Sequence, residues 1–182
     1  MITIEIDDRA VRAALAGLAQ RMQDMRPVMA DIGEYLVEST RRRFAAGRAP
    51  DGTPWAPNSP VTLRRYLARF GGSFRRRGKG LTKAGAARAA AKRPLIGETR
   101  RLSGEIAYRA EPRAVSVGSS LVYAATQQFG ARRGQFGRTR RGAPIPWGDI
   151  PPRPFLGLSG GDRGRIIDIV ADAVGRAATR AP

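Results

Sequence analysis

The side chains in this sequence that could do chemistry are mostly guanidinium and ammonium groups. Thirty-three Lys and Arg stand against 15 Asp and Glu, a formal net charge of +18 over 182 residues. Their chemistry is anion contact: such groups bind phosphate oxygens without reading base sequence. A chain so charged repels itself and is drawn to polyanions over about a Debye length. Nucleic acid is the first polyanion to consider; an acidic protein or membrane surface comes second. Between Arg41 and Arg101 there are 17 Lys and Arg and only two acids, Asp51 and Glu98, so this stretch alone carries +15. From Arg75 to Arg93 no acid intervenes. Arg75, Arg76, Arg77, Lys79, Lys83, Arg88, Lys92 and Arg93 are therefore the candidate DNA-facing residues. Arg9, Arg12 and Arg21 alternate with acids and read instead as a solvated face. No helix-turn-helix, zinc-finger or RNP pattern is present, so base-specific readout is not expected.

Other chemistry is excluded by what is missing. With no His, the usual general base and commonest metal ligand are absent. With no Cys, disulfides, thiolate catalysis and cysteine metal sites are absent too. The one close acidic pair, Asp7-Asp8, stands where a helix begins and reads as a cap. Glu98, Glu105 and Asp149 are scattered without metal spacing. Gly78-Lys79-Gly80 is only a fragment of a phosphate loop and matches neither G-x-x-x-x-G-K-[ST] nor G-x-G-x-x-G. The expectation is a non-enzyme with no catalytic residue, metal or cofactor; a small nuclease or lytic factor is the rival this composition argues against.

These groups must be positioned by a small scaffold. Ile2, Ile4 and Ile6 alternate with polar residues as a half-buried strand does. Val11, Leu15, Leu18, Met22 and Met25 form one stripe of a helix from about Arg9 to Met25. Pro27 either kinks it or opens a new helix, whose stripe is Met29, Ile32, Leu36 and Phe44, with Asp31, Glu34 and Glu38 facing out and Gly47 as the stop. Pro50-Asp51-Gly52 is a turn, and Ser59-Pro60 can start a short helix. Residues 71–93 hold eight Lys and Arg, five glycines and almost no large apolar side chain. They are expected to form a mobile basic arm or a partner-ordered loop. Ile106 with Tyr108 and Val115 with Val117 alternate about Glu111-Pro112-Arg113, a β-hairpin. A short helix over Tyr123 to Phe129 and a second basic loop, Ala131 to Gly142, precede the proline-rich run from Pro144 to Gly157. A closing helix follows Asp162 with Ile166, Ile167, Ile169, Val170, Ala173 and Val174 on its apolar face.

The predicted fold is α+β, a single domain over residues 1–182. An N-terminal helical region and a C-terminal helix pack on a small, mostly antiparallel sheet, and residues 71–93 form a mobile basic insert. No run approaches the ~20 apolar residues of a membrane span. Met1-Ile2-Thr3-Ile4-Glu5 lacks the basic and apolar regions of a signal peptide, so a protein soluble in the cell that makes it is expected. Trp55, Tyr123, Phe129, Trp147 and Phe155 could stack bases; near prolines and glycines, they read rather as anchors fastening loops to the core or to a neighbouring subunit.

Several motifs in order resemble the phage virion morphogenesis (tail-completion) family, a Mu-like neck protein group. They are a helical region ending in Phe44, Pro50-Asp51-Gly52-Thr53-Pro54-Trp55, Pro94-Leu95 and Arg101-Leu102-Ser103-Gly104-Glu105-Ile106. Val117-Gly118, Tyr123-Ala124, Gln128-Phe129-Gly130 and Ile150-Pro151-Pro152-Arg153-Pro154-Phe155-Leu156-Gly157 complete the series. Arg101 stands where the family usually has Gly, and Gly104 where a polar residue is more typical. The resemblance implies a structural component of the virion tail or neck, made in the host cytoplasm and acting at the head–tail junction. It further implies a homo-oligomeric ring, commonly of six subunits, through which DNA passes. The partners expected are other copies of the chain, other head–tail connector or tail proteins, and DNA through non-specific phosphate contacts, with no membrane. Trp55, Phe129, Arg132, Arg133, Trp147, Pro152, Arg153 and Phe155 are the candidate subunit or partner contacts. A general nucleic-acid-binding protein is the alternative.

Overall fold

A computed structural model of the chain describes residues 12, 16, 17, 19, 20, 23–77, 79–97 and 99–179. The expected strand Ile2 to Ile6, the Asp7-Asp8 cap, the stripe residues Val11, Leu15, Leu18 and Met22, and Gly78 and Glu98 lie outside the described residues. Arg12, Ala16, Gly17, Ala19 and Gln20 have helical backbone. That helix has ended by Gln23, and helix α1 (Arg26–Ala46) begins afresh. Asp24 Oδ1 accepts the Arg26 N–H at 3.0 Å. Pro27, in the first turn, gives up an N–H that would have no helical partner there.

Among the described residues the secondary structure is α+β: helices α1, α2 (Pro60–Leu67), α3 (Lys83–Ala91), the single turn α4 (Arg101–Gly104), α5 (Ala124–Phe129) and α6 (Gly160–Thr179) accompany a two-stranded β-hairpin. Its strands are β1 (Ile106–Ala110) and β2 (Val115–Ser119). The chain, expected to be one domain, divides into two compact units. One unit takes residues 1–39, 107–118 and 158–182; the other takes 40–106 and 119–157.

In the first unit α1 is held by close approach and by buried polar groups. A Cβ on Gly33 would stand 2.3 Å from Cδ2 of Tyr108, so only glycine lets the Tyr108 ring lie on the helix. Its hydroxyl donates to Glu34 at 3.2 Å, and desolvation, with that bond second, raises the phenol pKa. The hairpin keeps its predicted alternation, with Ile106 buried and Tyr108 half-buried against exposed Ala107 and Arg109. On the α1 side, Asp31, Glu34 and Glu38 are exposed as expected, while Ile32, Gly33 and Val37 are buried. In α6 the inward positions are Asp162 and Ile169, with Ile166, Val170, Ala173 and Val174 half-buried. Ile167, expected on the apolar face, is 68% exposed because it falls two positions before Ile169, on the opposite side of the helix.

Asp162 sets the start of α6. It is 1% exposed, and its Oδ2 accepts the Ser159 N–H at 2.7 Å while Ser159 Oγ accepts the Asp162 N–H at 3.1 Å. That reciprocal pair is a capping box closed by Asp in place of Glu. Oδ1 accepts the hydroxyls of Tyr35 at 3.1 Å and Ser39 at 2.5 Å, which ties α6 to α1 within this unit.

The second unit is built around three rings. Phe44 is 1%, Phe155 0% and Trp55 6% exposed. Phe44 lies 5.3 Å from Trp55 in edge-to-face geometry and 5.2 Å from Phe155. Gly47, with φ +68°, ends α1, and Gly52, with φ +87°, completes the predicted turn after Asp51 Oδ1 accepts the Thr53 N–H at 2.9 Å. Helix α2 starts as predicted: Ser59 Oγ accepts the Thr62 N–H, and Pro60 holds the first position.

Residues 71–93 are built into this unit where no anchor was expected. Thr82 Oγ1 caps α3 by accepting the Gly85 N–H at 3.0 Å and donates to the Gly72 carbonyl at 2.6 Å. A Cβ on Gly85 would stand 2.0 Å from the Ser73 carbonyl oxygen, so glycine lets helix and loop touch backbone to backbone. Ser73 is 1% exposed and accepts from Arg88 at 3.1 Å. The anchor is polar and close-packed, which a search for large apolar residues does not find.

Candidate functional site

The loop that carries Trp55 and the run Arg153 to Gly157 share one framework in the second unit. The Trp55 Nε1–H donates to the Pro154 carbonyl at 2.7 Å. Arg43 donates to the Phe155 carbonyl at 3.0 Å. Arg153 is 7% exposed; its Nε and Nη2 donate to the carbonyls of Ala56 and Pro57, both at 2.8 Å, and burial lowers its pKa. From α5, Gln128 Oε1 accepts the N–H groups of Phe155 and Leu156 at 2.9 and 3.0 Å, while Nε2 donates to the Leu156 carbonyl at 3.0 Å. Pro154, Phe155 and Leu156, in a run that cannot build its own ladder, thus have their backbone groups satisfied by side chains, while the Arg153 N–H donates to the Gln127 carbonyl at 2.8 Å. Among the eight contact candidates, Trp55, Arg153 and Phe155 therefore lie inside this unit and hold it together. Phe129, Arg132, Arg133, Trp147 and Pro152 are exposed.

Three of these exposed candidates, Arg132, Arg133 and Trp147, lie on one element. Residues 131–150 fold back on themselves as a narrow, irregular hairpin. Ala131 and Ile150 exchange both backbone hydrogen bonds at 2.9 and 2.8 Å; Phe136 N donates to the Ile145 carbonyl at 2.8 Å, and Thr139 N to the Ala143 carbonyl at 2.7 Å. Arg138 closes the tip turn with a bond to the Gly142 carbonyl at 3.0 Å, leaving Arg140 and Arg141 exposed at the end. At its base the Arg133 N–H donates to Asp149 Oδ1 at 2.7 Å, and Arg65 of α2 stands 5.7 Å over the Trp147 ring. Phe136 is 54% and Trp147 67% exposed, and Phe129, at the end of α5, is 76% exposed. The loop from Ala131 to Gly142 and the run from Pro144, read separately in the sequence, are the two sides of this hairpin.

The DNA-facing candidates separate into two groups. Arg75 Nε bonds the Leu81 carbonyl at 3.2 Å and braces the turn that carries Arg76, Arg77 and Lys79, all exposed. Lys83 is exposed on α3. Arg88, Lys92 and Arg93 are engaged by their own chain. Arg88 bonds Ser73 and lies 5.3 Å over the Phe70 ring; Lys92 bonds the Ile96 carbonyl and lies 5.0 Å over Tyr66; Arg93 bonds the Ala45 carbonyl. Lys92 and Arg93 also line a cleft of about 920 Å³ with Arg41, Arg100, Tyr66 and Phe70. Arg100, at one rim, holds φ +50°, a left-handed backbone that non-glycine residues seldom adopt. Arg41 and Arg100 stand at the two ends of the basic stretch in the sequence but are not among the DNA-facing candidates, because nothing in their spacing relates them to a cleft.

No group of three or more Asp, Glu, His or Cys among the described residues could hold a metal ion. No helix among them is long and apolar enough to cross a membrane. What the described surface offers is exposed guanidinium beside exposed aromatic rings, the chemistry of binding.

The model of the phage virion morphogenesis family matches residues 6–175. Tail completion protein S of Escherichia phage P2 is 29% identical over 162 residues, covering 86% of this chain and 89% of that relative. No solved structure matches the chain.

Proposed function

Since the chain belongs to the phage virion morphogenesis family, we propose that it completes the tail or neck at the head–tail junction, as a structural subunit of a homo-oligomeric ring around the DNA path. The observation that carries this reading is the match over residues 6–175, which takes in both units and every element of the scaffold. The name of the phage P2 relative, a tail completion protein, points the same way. The role is structural and not catalytic: the buried polar side chains Arg43, Arg153 and Asp162 are spent on holding loops and helix ends, and the exposed groups are binding groups. The protein acts in the virion after synthesis in the host cytoplasm. DNA meets it through non-specific phosphate contacts at Arg76, Arg77, Lys79 and Lys83, whose charges have no neighbouring acid in sequence.

Native mass spectrometry and negative-stain microscopy of the purified chain test the ring. Closed particles of a single subunit number are the expected result; a monomer at high concentration, alone and with neighbouring tail proteins, contradicts it. A second reading, a general nucleic-acid-binding protein, is favoured by the exposed basic turn at Arg75 to Lys79. It requires that reversing the charge of Arg75, Arg76 and Arg77 abolish function, and particle assembly by that variant removes it.

A further inference from the structure

The two units differ sharply in charge. Residues 40–106 and 119–157 hold 23 Lys and Arg against four acids, a net +19, while residues 1–39, 107–118 and 158–182 hold ten against eleven, a net −1. The entire +18 of the chain is therefore carried by one unit. Within that unit the hairpin over residues 131–150 has five arginines and one acid, Asp149, whose Oδ1 accepts the Arg133 N–H. It also exposes Phe136 and Trp147. Arginine and large aromatic side chains together are the residues enriched at protein–protein interfaces and their energetic hot spots. Phosphate contact alone would not call for the exposed rings.

We infer that this hairpin docks on the carboxylate-bearing unit of a second copy of the same chain. The inference rests on the proposal that the chain is a homo-oligomer, and it names the surfaces. On the receiving copy, helix α1 presents Asp31, Glu34 and Glu38 outward at spacings of three and four, one exposed edge of the helix. A basic unit meeting another basic unit would be repelled, so like-to-like pairing of the +19 units is disfavoured. Pairing +19 against −1 is heterologous, the mode that generates rings when the rotation closes. Guanidinium–carboxylate pairs set the register, while Phe136 and Trp147 supply the apolar area that charges alone do not.

The test uses the full chain in sedimentation velocity over a concentration series. Arg140→Glu/Arg141→Glu alters tip residues whose side chains are exposed, and leaves Arg138, which closes the turn, in place. It is expected to weaken self-association at least about 100-fold with an unchanged circular dichroism spectrum. Asp31→Lys/Glu38→Lys is expected to do the same, and mixing the two charge-reversed proteins to restore a hetero-oligomer, because each keeps the one surface the other now complements. Phe136→Ser is the second variant of the 131–150 hairpin; it is expected to weaken association even in high salt, where the charged pairs are screened. Wild-type assembly by both hairpin variants, Arg140→Glu/Arg141→Glu and Phe136→Ser, overturns this inference and leaves the ring proposal standing. A wild-type chain that never self-associates removes both. Hairpin variants that assemble normally but no longer co-sediment with added duplex DNA assign the hairpin to DNA and likewise overturn the inference.

Discussion

Asp162 and Trp55 carry opposite lessons about reading single residues. Asp162 looks like an ordinary first-turn acid, yet it is buried and accepts from Tyr35, Ser39 and Ser159 at once. Asp162→Ala removes the carboxylate half of the capping box and strands buried hydroxyls, so unfolding should become easier by about 2–4 kcal/mol, read from denaturant titration of the helical signal. Trp55, Arg153 and Phe155 look like presented contacts and point inward. A proline-rich loop has no periodicity, so its sequence tells that an aromatic is an anchor but not on which side it is anchored. Asp51 was legible as a turn residue because Pro-Asp-Gly states its own geometry. The Thr53 N–H bonds to its carboxylate and holds its pKa below the ordinary 3.8. Its contribution is therefore present above the unfolded value and is lost as pH falls through the lower folded one. The Thr53 amide resonance should titrate with a midpoint below 3.8; a midpoint at or above it would show the turn bond absent in solution.

At the scale of elements, periodic segments were legible and close-approach segments were not. α1 from Pro27, the Ser59-Pro60 start of α2, the hairpin and α6 follow from spacing, caps and alternation. The register of α1 was only partly visible, because its inward face includes Gly33 and Thr40, which hydrophobicity does not mark. Residues 71–93 escaped for a related reason: Gly85 against the Ser73 carbonyl is a contact made by the absence of a side chain. Gly85→Ala puts a methyl 2.0 Å from that oxygen, so helix α3 must move off the loop. The expected outcome is tryptic cleavage within Arg75 to Lys79 faster by about 10-fold or more, since cleavage follows the population of the open form. Cleavage at the wild-type rate would mean that the backbone contact does not hold the segment.

For the whole molecule, the family was legible because its motifs coincide with positions the fold needs. Phe44, Trp55, Gln128 and Phe155 make one framework, and a framework constrains order and spacing even when overall identity is low. The charge partition was legible in part, as the +15 of Arg41 to Arg101; the rest was hidden because the units are discontinuous, each gathering separated stretches of chain, so no one window displays +19 against −1. The hairpin that concentrates exposed rings and arginines was equally divided between two stretches read apart. The central claim, that this chain completes the tail or neck of a phage, has a direct measurement. Lysates of a phage in which this coding sequence is interrupted are imaged by electron microscopy, and purified protein is then added back. The account predicts separate filled heads and tails that join into infectious particles on addition of the protein. Joined, infectious particles in its absence would contradict it.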